Sequence, residues 1–153
     1  MSRITIRGGA DLKSRSPGAL GASDWKELAF EDILRFAEAT GDRQWIHVDR
    51  ERIARESPYG VPIAHGYFSL SRVAALFFEI LELEGFANVI NYGCNKVRFP
   101  APLRVGSRYR LVLALLETRE LAGGTEAAMS ATIEIEGESK PACAAEIVFR
   151  LMD

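Results

Sequence analysis

The chain contains only two histidines in 153 residues, and each sits beside other groups suited to proton chemistry. His47 falls in Ala39-Thr40-Gly41-Asp42-Arg43-Gln44-Trp45-Ile46-His47-Val48-Asp49, five positions after Asp42. At about 100° per residue, a continuous helix would turn two such side chains to different faces. Gly41 is a natural helix stop, so the pair is expected on a connecting loop where both side chains can converge. A carboxylate beside an imidazole is equipped to move protons near neutral pH. His65 falls in Ile63-Ala64-His65-Gly66-Tyr67, immediately before a long apolar run. If that run is a helix, Gly66 opens it. Its exposed N–H groups then attract developing negative charge, and the missing side chain lets a ligand come close.

The elements that must hold these residues follow from periodicity. Residues 1–22 are rich in Gly, Ser and Arg without a sustained period, and are expected to form a partly ordered extension without chemistry. Residues 23–153 are expected to form one domain. Trp25 to Phe30 suggests a short strand. Phe30, Ile33, Leu34 and Ala37 then fall at helical spacing, with Glu31 and Asp32 in the first turn and Gly41 at the end. Asp49 to Glu56 reads as a short helix, and Ser57-Pro58-Tyr59-Gly60 as a turn. The run from Ala64 to Leu83 is apolar around nearly its whole circumference, which marks a buried helix or a membrane span. Arg72 and Glu79 in its interior decide for the core.

After Gly85 the pattern changes to strands: Val89 to Phe99, Tyr109 to Arg119, Ala128 to Glu136 and Ala142 to Leu151. Met129, Ala131, Ile133 and Ile135 alternate with Ser130, Thr132, Glu134 and Glu136, the mark of a half-buried strand. Gly123-Gly124 and Gly137 supply turns. One long buried helix followed by successive antiparallel strands predicts an α+β domain with the sheet wrapped around the helix.

Composition narrows the function. With 48% hydrophobic residues the chain can bury a sizeable core. A net charge of −2 and a pI near 5.8 give no reason to expect nucleic acid or an anionic membrane as a partner. Cys94 and Cys143 lie in strand-like runs without metal-ligand spacing, and read as buried thiols of a reducing compartment. No secretory signal is visible at the start, so the expected location is the cytoplasm.

The run FAEATGDRQWIHVD followed by PIAHGYFSLS resembles the MaoC-like dehydratases, or R-specific enoyl-CoA hydratases, of hot-dog fold. Within that family it is most similar to the nodulation-protein-N-like branch, where QWIH stands in place of the commoner NPxH. INYGCNKVRFPAPLRVGS and KPACAAEIVFR carry the likeness through the rest of the chain. The resemblance implies reversible hydration of a trans-2-enoyl thioester to the (R)-3-hydroxyacyl thioester, without metal or redox cofactor, by a homodimer of hot-dog domains. It maps the catalytic pair onto Asp42 and His47 and the oxyanion-binding glycine onto Gly66. His65, Gln44 and Tyr67 fall on the substrate side, with Gln44 in place of an asparagine. The helix serine of some relatives aligns with Ala74, three residues after Ser71. The carrier is coenzyme A or an acyl carrier protein, and Lys96, Arg98 and Arg104 are candidates for coenzyme A phosphates.

Each residue also has a plain structural reading. Asp42 can hydrogen-bond its own turn, His47 can be a satisfied half-buried histidine, and His65 can simply shape the loop before the helix. Strand-edge cations such as Lys96 are usually solvation. Two histidines with scattered carboxylates make a poor metal site, and no G-x-S-x-G elbow is present. A hot-dog thioesterase is the enzyme alternative, and a non-catalytic acyl-thioester-binding subunit is the other.

Overall fold

The computed structural model describes residues 3–153. In chain order the elements are β1 (Ile4–Arg7), α1 (Gly8–Ser14), β2 (Gly18–Ala22), β3 (Lys26–Glu27), α2 (Phe30–Thr40), α3 (Trp45–Val48) and α4 (Arg50–Glu56). They continue with α5 (Gly66–Ile80), β4 (Leu81–Glu84), β5 (Asn88–Arg98), β6 (Arg108–Leu121), β7 (Gly124–Ile135) and β8 (Cys143–Met152). A six-stranded sheet runs in the order β2-β6-β7-β8-β5, with β3 also paired to β6. All of its pairings are antiparallel, and β1 and β4 form a separate parallel pair.

The sheet wraps α5, and period-2 alternation is what makes this fit. Tyr109, Leu111, Leu113 and Leu115 of β6 are buried, as are Met129, Ala131, Ile133 and Ile135 of β7. Cys143, Ala145, Ile147, Phe149 and Leu151 continue the same inner face on β8. Against them α5 sets Phe68, Val73, Leu76, Phe77 and Ile80, and Phe77 stacks on Phe149 with ring centroids 4.7 Å apart. Burying each such side chain stabilises the fold by roughly 1.5–3 kcal/mol, so this seam between helix and sheet dominates stability. The outer face carries ion pairs across strands instead, including Arg110 with Glu134 and Arg150 with Glu126.

Four expectations need correction. Of the partly ordered extension expected over residues 1–22, residues 1–2 lie outside the described residues and the rest packs into the domain: Ile6 and Leu12 are fully buried and Leu20 nearly so. Each short element there buries one apolar side chain, too few to create a period along the sequence. The central helix ends at Ile80, not Leu83, because Leu81-Glu82-Leu83-Glu84 alternates and pairs with Ile4 to Arg7 as β4. About 15 residues at ~1.5 Å each make α5 ~22 Å long. Cys143 is buried as expected, but Cys94 is exposed, because β5 is the edge of the sheet and little covers it. The strand expected over Trp25 to Phe30 is reduced to Lys26–Glu27, with Phe30 opening α2, and the other expected elements form with small shifts of boundary.

Candidate active site

The site is built by three segments brought together at the start of α5. Helix α2 ends at Gly41, whose φ of 78° is left-handed and natural only to glycine, and which turns the chain back toward α5. Asp42 follows, its Oδ1 accepting the Gln44 N–H at 3.2 Å in a local turn. Gln44 precedes α3, and its carbonyl accepts the His47 N–H at 3.0 Å. Residues 62–65 are pinned from the other side: Ala64 N–H donates to Leu103 O at 2.8 Å, and Val105 N–H to Pro62 O at 2.9 Å.

Two carbonyls set the tautomers of the histidines. His47 is 6% exposed, and its Nδ1 lies 2.7 Å from Ile63 O. A carbonyl can only accept, so Nδ1 carries the hydrogen and Nε2 of the neutral ring keeps its lone pair. His65 Nε2 likewise donates to Asp42 O at 2.9 Å, which ties the Asp42 loop to the head of α5. The Nδ1 of His65 is buried without a partner. The two rings stack, with centroids 3.8 Å apart at 27°, and Phe36 packs on His65 at 5.1 Å. Burial holds His47 below its ordinary pKa of 6.5, with nearby His65 acting in the same direction. The bond to Ile63 O and the charge of Asp42 oppose this shift. His47 therefore presents a neutral, basic Nε2 at neutral pH.

Asp42 braces its own turn and also stands close to both histidines. One carboxylate oxygen braces the turn, while Oδ2 stands 4.0 Å from His65 Nε2, and the side chain is 55% exposed. One oxygen of Asp42 and one nitrogen from each histidine lie within 4.8 Å of one another. A divalent cation fits such a distance, but His65 could ligate through Nε2 only by releasing Asp42 O.

Gly66 opens α5. Helix hydrogen bonding there begins with Phe68 N–H and Ser69 N–H, both donating to His65 O, and no side chain caps the helix start. The Gly66 N–H is thus left for a ligand. A Cβ on Gly66 would meet three ring carbons of Phe99 at 2.7–2.9 Å, so only glycine fits beneath that ring. His47, Gly66, Ser69 and Phe99 face a cavity of about 310 Å³, completed by Tyr59 and the chain from Pro100 to Leu103. A base and an oxyanion donor around one small cavity can abstract a proton from water and stabilise an enolate-like oxygen.

The remaining sequence candidates sit at its margins. Tyr67 is 70% exposed and meets Phe99 edge-on at 5.9 Å, outside the cavity wall. Gln44 contributes its backbone to the turn. Lys96 pairs with Glu146 at 3.6 Å, Arg104 lies 3.5 Å from Glu138, and Arg98 donates to Val97 O. None of these three cations lines the cavity. Sequence reasoning passed over Ser69 and Phe99. The only hint of Phe99 was an aromatic residue at a strand end before Pro100-Ala101-Pro102, and Ser69 gave no signal at all.

Comparison with solved structures places the architecture among hot-dog proteins. R-hydratase PhaJ1 from Pseudomonas aeruginosa superposes with a TM-score of 0.75 at 21% identity, covering 97% of this chain and 87% of that one. An (R)-hydratase from A. caviae gives 0.72 at 21% identity, covering 91% and 98%. The MaoC like domain matches residues 14–137, beginning inside the stretch expected to be an extension. The 3-hydroxyacyl-thioester dehydratase Z of Mycobacterium tuberculosis is 46% identical over 147 residues, covering 95% of this chain and 97% of that protein. Nodulation protein N of Rhizobium leguminosarum bv. viciae is 40% identical over 138 residues, covering 89% and 86%. The chain belongs to the MaoC-like dehydratase family. Among the described residues, no helix is long and apolar enough to cross a membrane.

Proposed function

We propose that the protein catalyses reversible (R)-specific hydration of trans-2-enoyl-CoA, or of the acyl carrier protein thioester, to the 3-hydroxyacyl thioester. The observation that carries this reading is the single cavity lined by both His47, whose Nε2 keeps its lone pair, and Gly66 at the start of α5, with Asp42 alongside. In the forward direction His47 and Asp42 hold a water and take its proton as its oxygen adds to C3. Electron density moves through C2 to the thioester oxygen, which accepts from Gly66 N–H. A proton returned to C2 completes the addition, so water is consumed and nothing is oxidised or reduced. Losing a preorganised donor of the Gly66 kind typically costs about 3 kcal/mol of transition-state stabilisation.

No metal or redox cofactor enters this chemistry. The working form in this reading is a homodimer acting in the cytoplasm. Support for the dimer comes from β5, an edge strand that presents Ile90 and Tyr92 to solvent. Two unpaired cysteines fit a reducing compartment. Arg98 directly precedes Phe99 of the cavity wall, and with Lys96 and Arg104 it remains the proposed source of contacts to coenzyme A phosphates.

The test is an assay across enoyl-CoA chain lengths with chiral analysis of the product. Loss of enoyl absorbance with formation of the (R)-3-hydroxyacyl thioester is the expected result. Release of free thiol would replace the proposal with a thioesterase, and binding without turnover would leave an acyl-thioester-binding subunit.

A further inference from the structure

Ser69 is the feature of the cavity that the proposed chemistry leaves unused. It is 2% exposed and sits in the otherwise apolar buried stripe of α5, yet it lines the same cavity as His47 and Gly66. Serine inside a helix usually returns its hydroxyl to the carbonyl four residues back. Ser71 does this, donating to Tyr67 O at 2.7 Å. Ser69 has no such bond among the described residues, although His65 O, the equivalent carbonyl, already accepts the Phe68 and Ser69 N–H groups. The Ser69 Oγ is not one of the buried side-chain atoms left without a partner, which among the described residues are Arg15 Nε, His65 Nδ1 and Arg72 Nε, so the hydroxyl opens onto the cavity and is not sealed in the core. The hydroxyl is therefore directed to something that enters the cavity.

Its position says which atom. Ser69 lies three residues after Gly66, about 4.5 Å further along the helix axis and rotated by roughly 60° on the same side. From standard bond lengths, the carbonyl oxygen and the C3 oxygen of a 3-hydroxyacyl group are about 4 Å apart. With the thioester oxygen on Gly66 N–H, the oxygen at C3 falls within reach of the Ser69 hydroxyl. Resting on the hydratase reading above, we propose that Ser69 is a positioning residue for the C3 oxygen. It holds the incoming water during hydration and the departing hydroxyl during dehydration, while proton transfer stays with Asp42 and His47.

The enoyl substrate has no oxygen at C3, and this makes the proposal testable through an asymmetry between directions. Ser69→Ala should keep the fold, since alanine is smaller and a better helix former. Losing one hydrogen bond should lower kcat/KM about 3- to 10-fold in both directions. In hydration the loss should lie in kcat, with KM for the enoyl thioester unchanged. In dehydration it should lie in a raised KM for the 3-hydroxyacyl thioester. Ser69→Thr, which keeps the hydroxyl, should restore much of the loss. An active wild-type enzyme whose Ser69→Ala variant shows unchanged kinetics, or an equal rise in KM for both substrates, would overturn this inference alone. A wild-type enzyme that hydrates no enoyl thioester would overturn it together with the hydratase reading.

Discussion

Substituting Gly66 by alanine separates the chemical from the packing role of the helix start. The new methyl would stand 2.7–2.9 Å from three carbons of the Phe99 ring, closer than side chains tolerate, so the ring must move. Overpacking of this kind costs about 1–3 kcal/mol in a closed core. Phe99, however, is 41% exposed and can swing outward, and alanine gains up to about 1 kcal/mol in helix propensity over glycine. The two effects nearly offset, so the melting temperature should shift by no more than about 2–4 °C. Turnover should respond far more, because the methyl itself obstructs a ligand's approach to the backbone N–H of residue 66. Losing an oxyanion donor costs ~10²–10³ in kcat, and a fall of about 10²-fold is expected here. Enoyl absorbance gives the rate, and thermal denaturation of the same samples gives stability. Combining Gly66→Ala with Phe99→Ala should relieve the clash without restoring the rate. Near-normal kcat with a melting temperature lowered by many degrees would refute the reasoning and leave Gly66 a packing residue.

Burial lowers the pKa of His47, so the acid limb of kcat/KM should lie below pH 6.5, and a limb above that value would contradict the neutral-base assignment. Because the unfolded chain binds this proton first, the contribution of His47 to stability should be complete above pH 6.5 and decline as pH falls below it; denaturant titrations across pH 5–8 measure this. Exhaustive chelation should leave turnover unchanged, whereas activity lost with chelator and restored by zinc would assign Asp42, His47 and His65 to a metal. Ile90→Glu on the β5 edge should shift the protein toward monomer in sedimentation velocity at micromolar concentration, and an unaltered dimer would place the interface elsewhere.

What the sequence revealed was what short-range physics controls. The spacing of Phe30, Ile33 and Ala37 and the left-handed Gly41 define α2 locally, and they appear as expected. The alternation from Met129 to Ile135 likewise fixed which face of β7 is buried. Elements whose stability comes from distant partners were harder to see. Leu81 to Glu84 leaves the helix because Ile4 to Arg7 pairs with it, and Cys94 is exposed because its strand lies at an edge. In the site, the convergence of Asp42 and His47 was legible from one short stretch of chain, although His47 lies in the short helix α3 and not on a loop as expected. The stacking of His47 on His65 and the bond from His65 to Asp42 O join residues 18 and 23 positions apart, and no local pattern announces them. Ser69 and Phe99 acquire meaning only once α5 and the end of β5 enclose one cavity.

The central claim is that Asp42 and His47 act as one unit on a single water. Turnover of Asp42→Asn, His47→Gln and the double variant tests it most directly. General acid–base groups contribute ~10²–10⁴, so each single change should lower kcat by ~10²-fold or more. Groups that share one step do not lose their effects additively, and the double variant should be little slower than the poorer single. Near-normal kcat per folded molecule in both single variants would contradict the account.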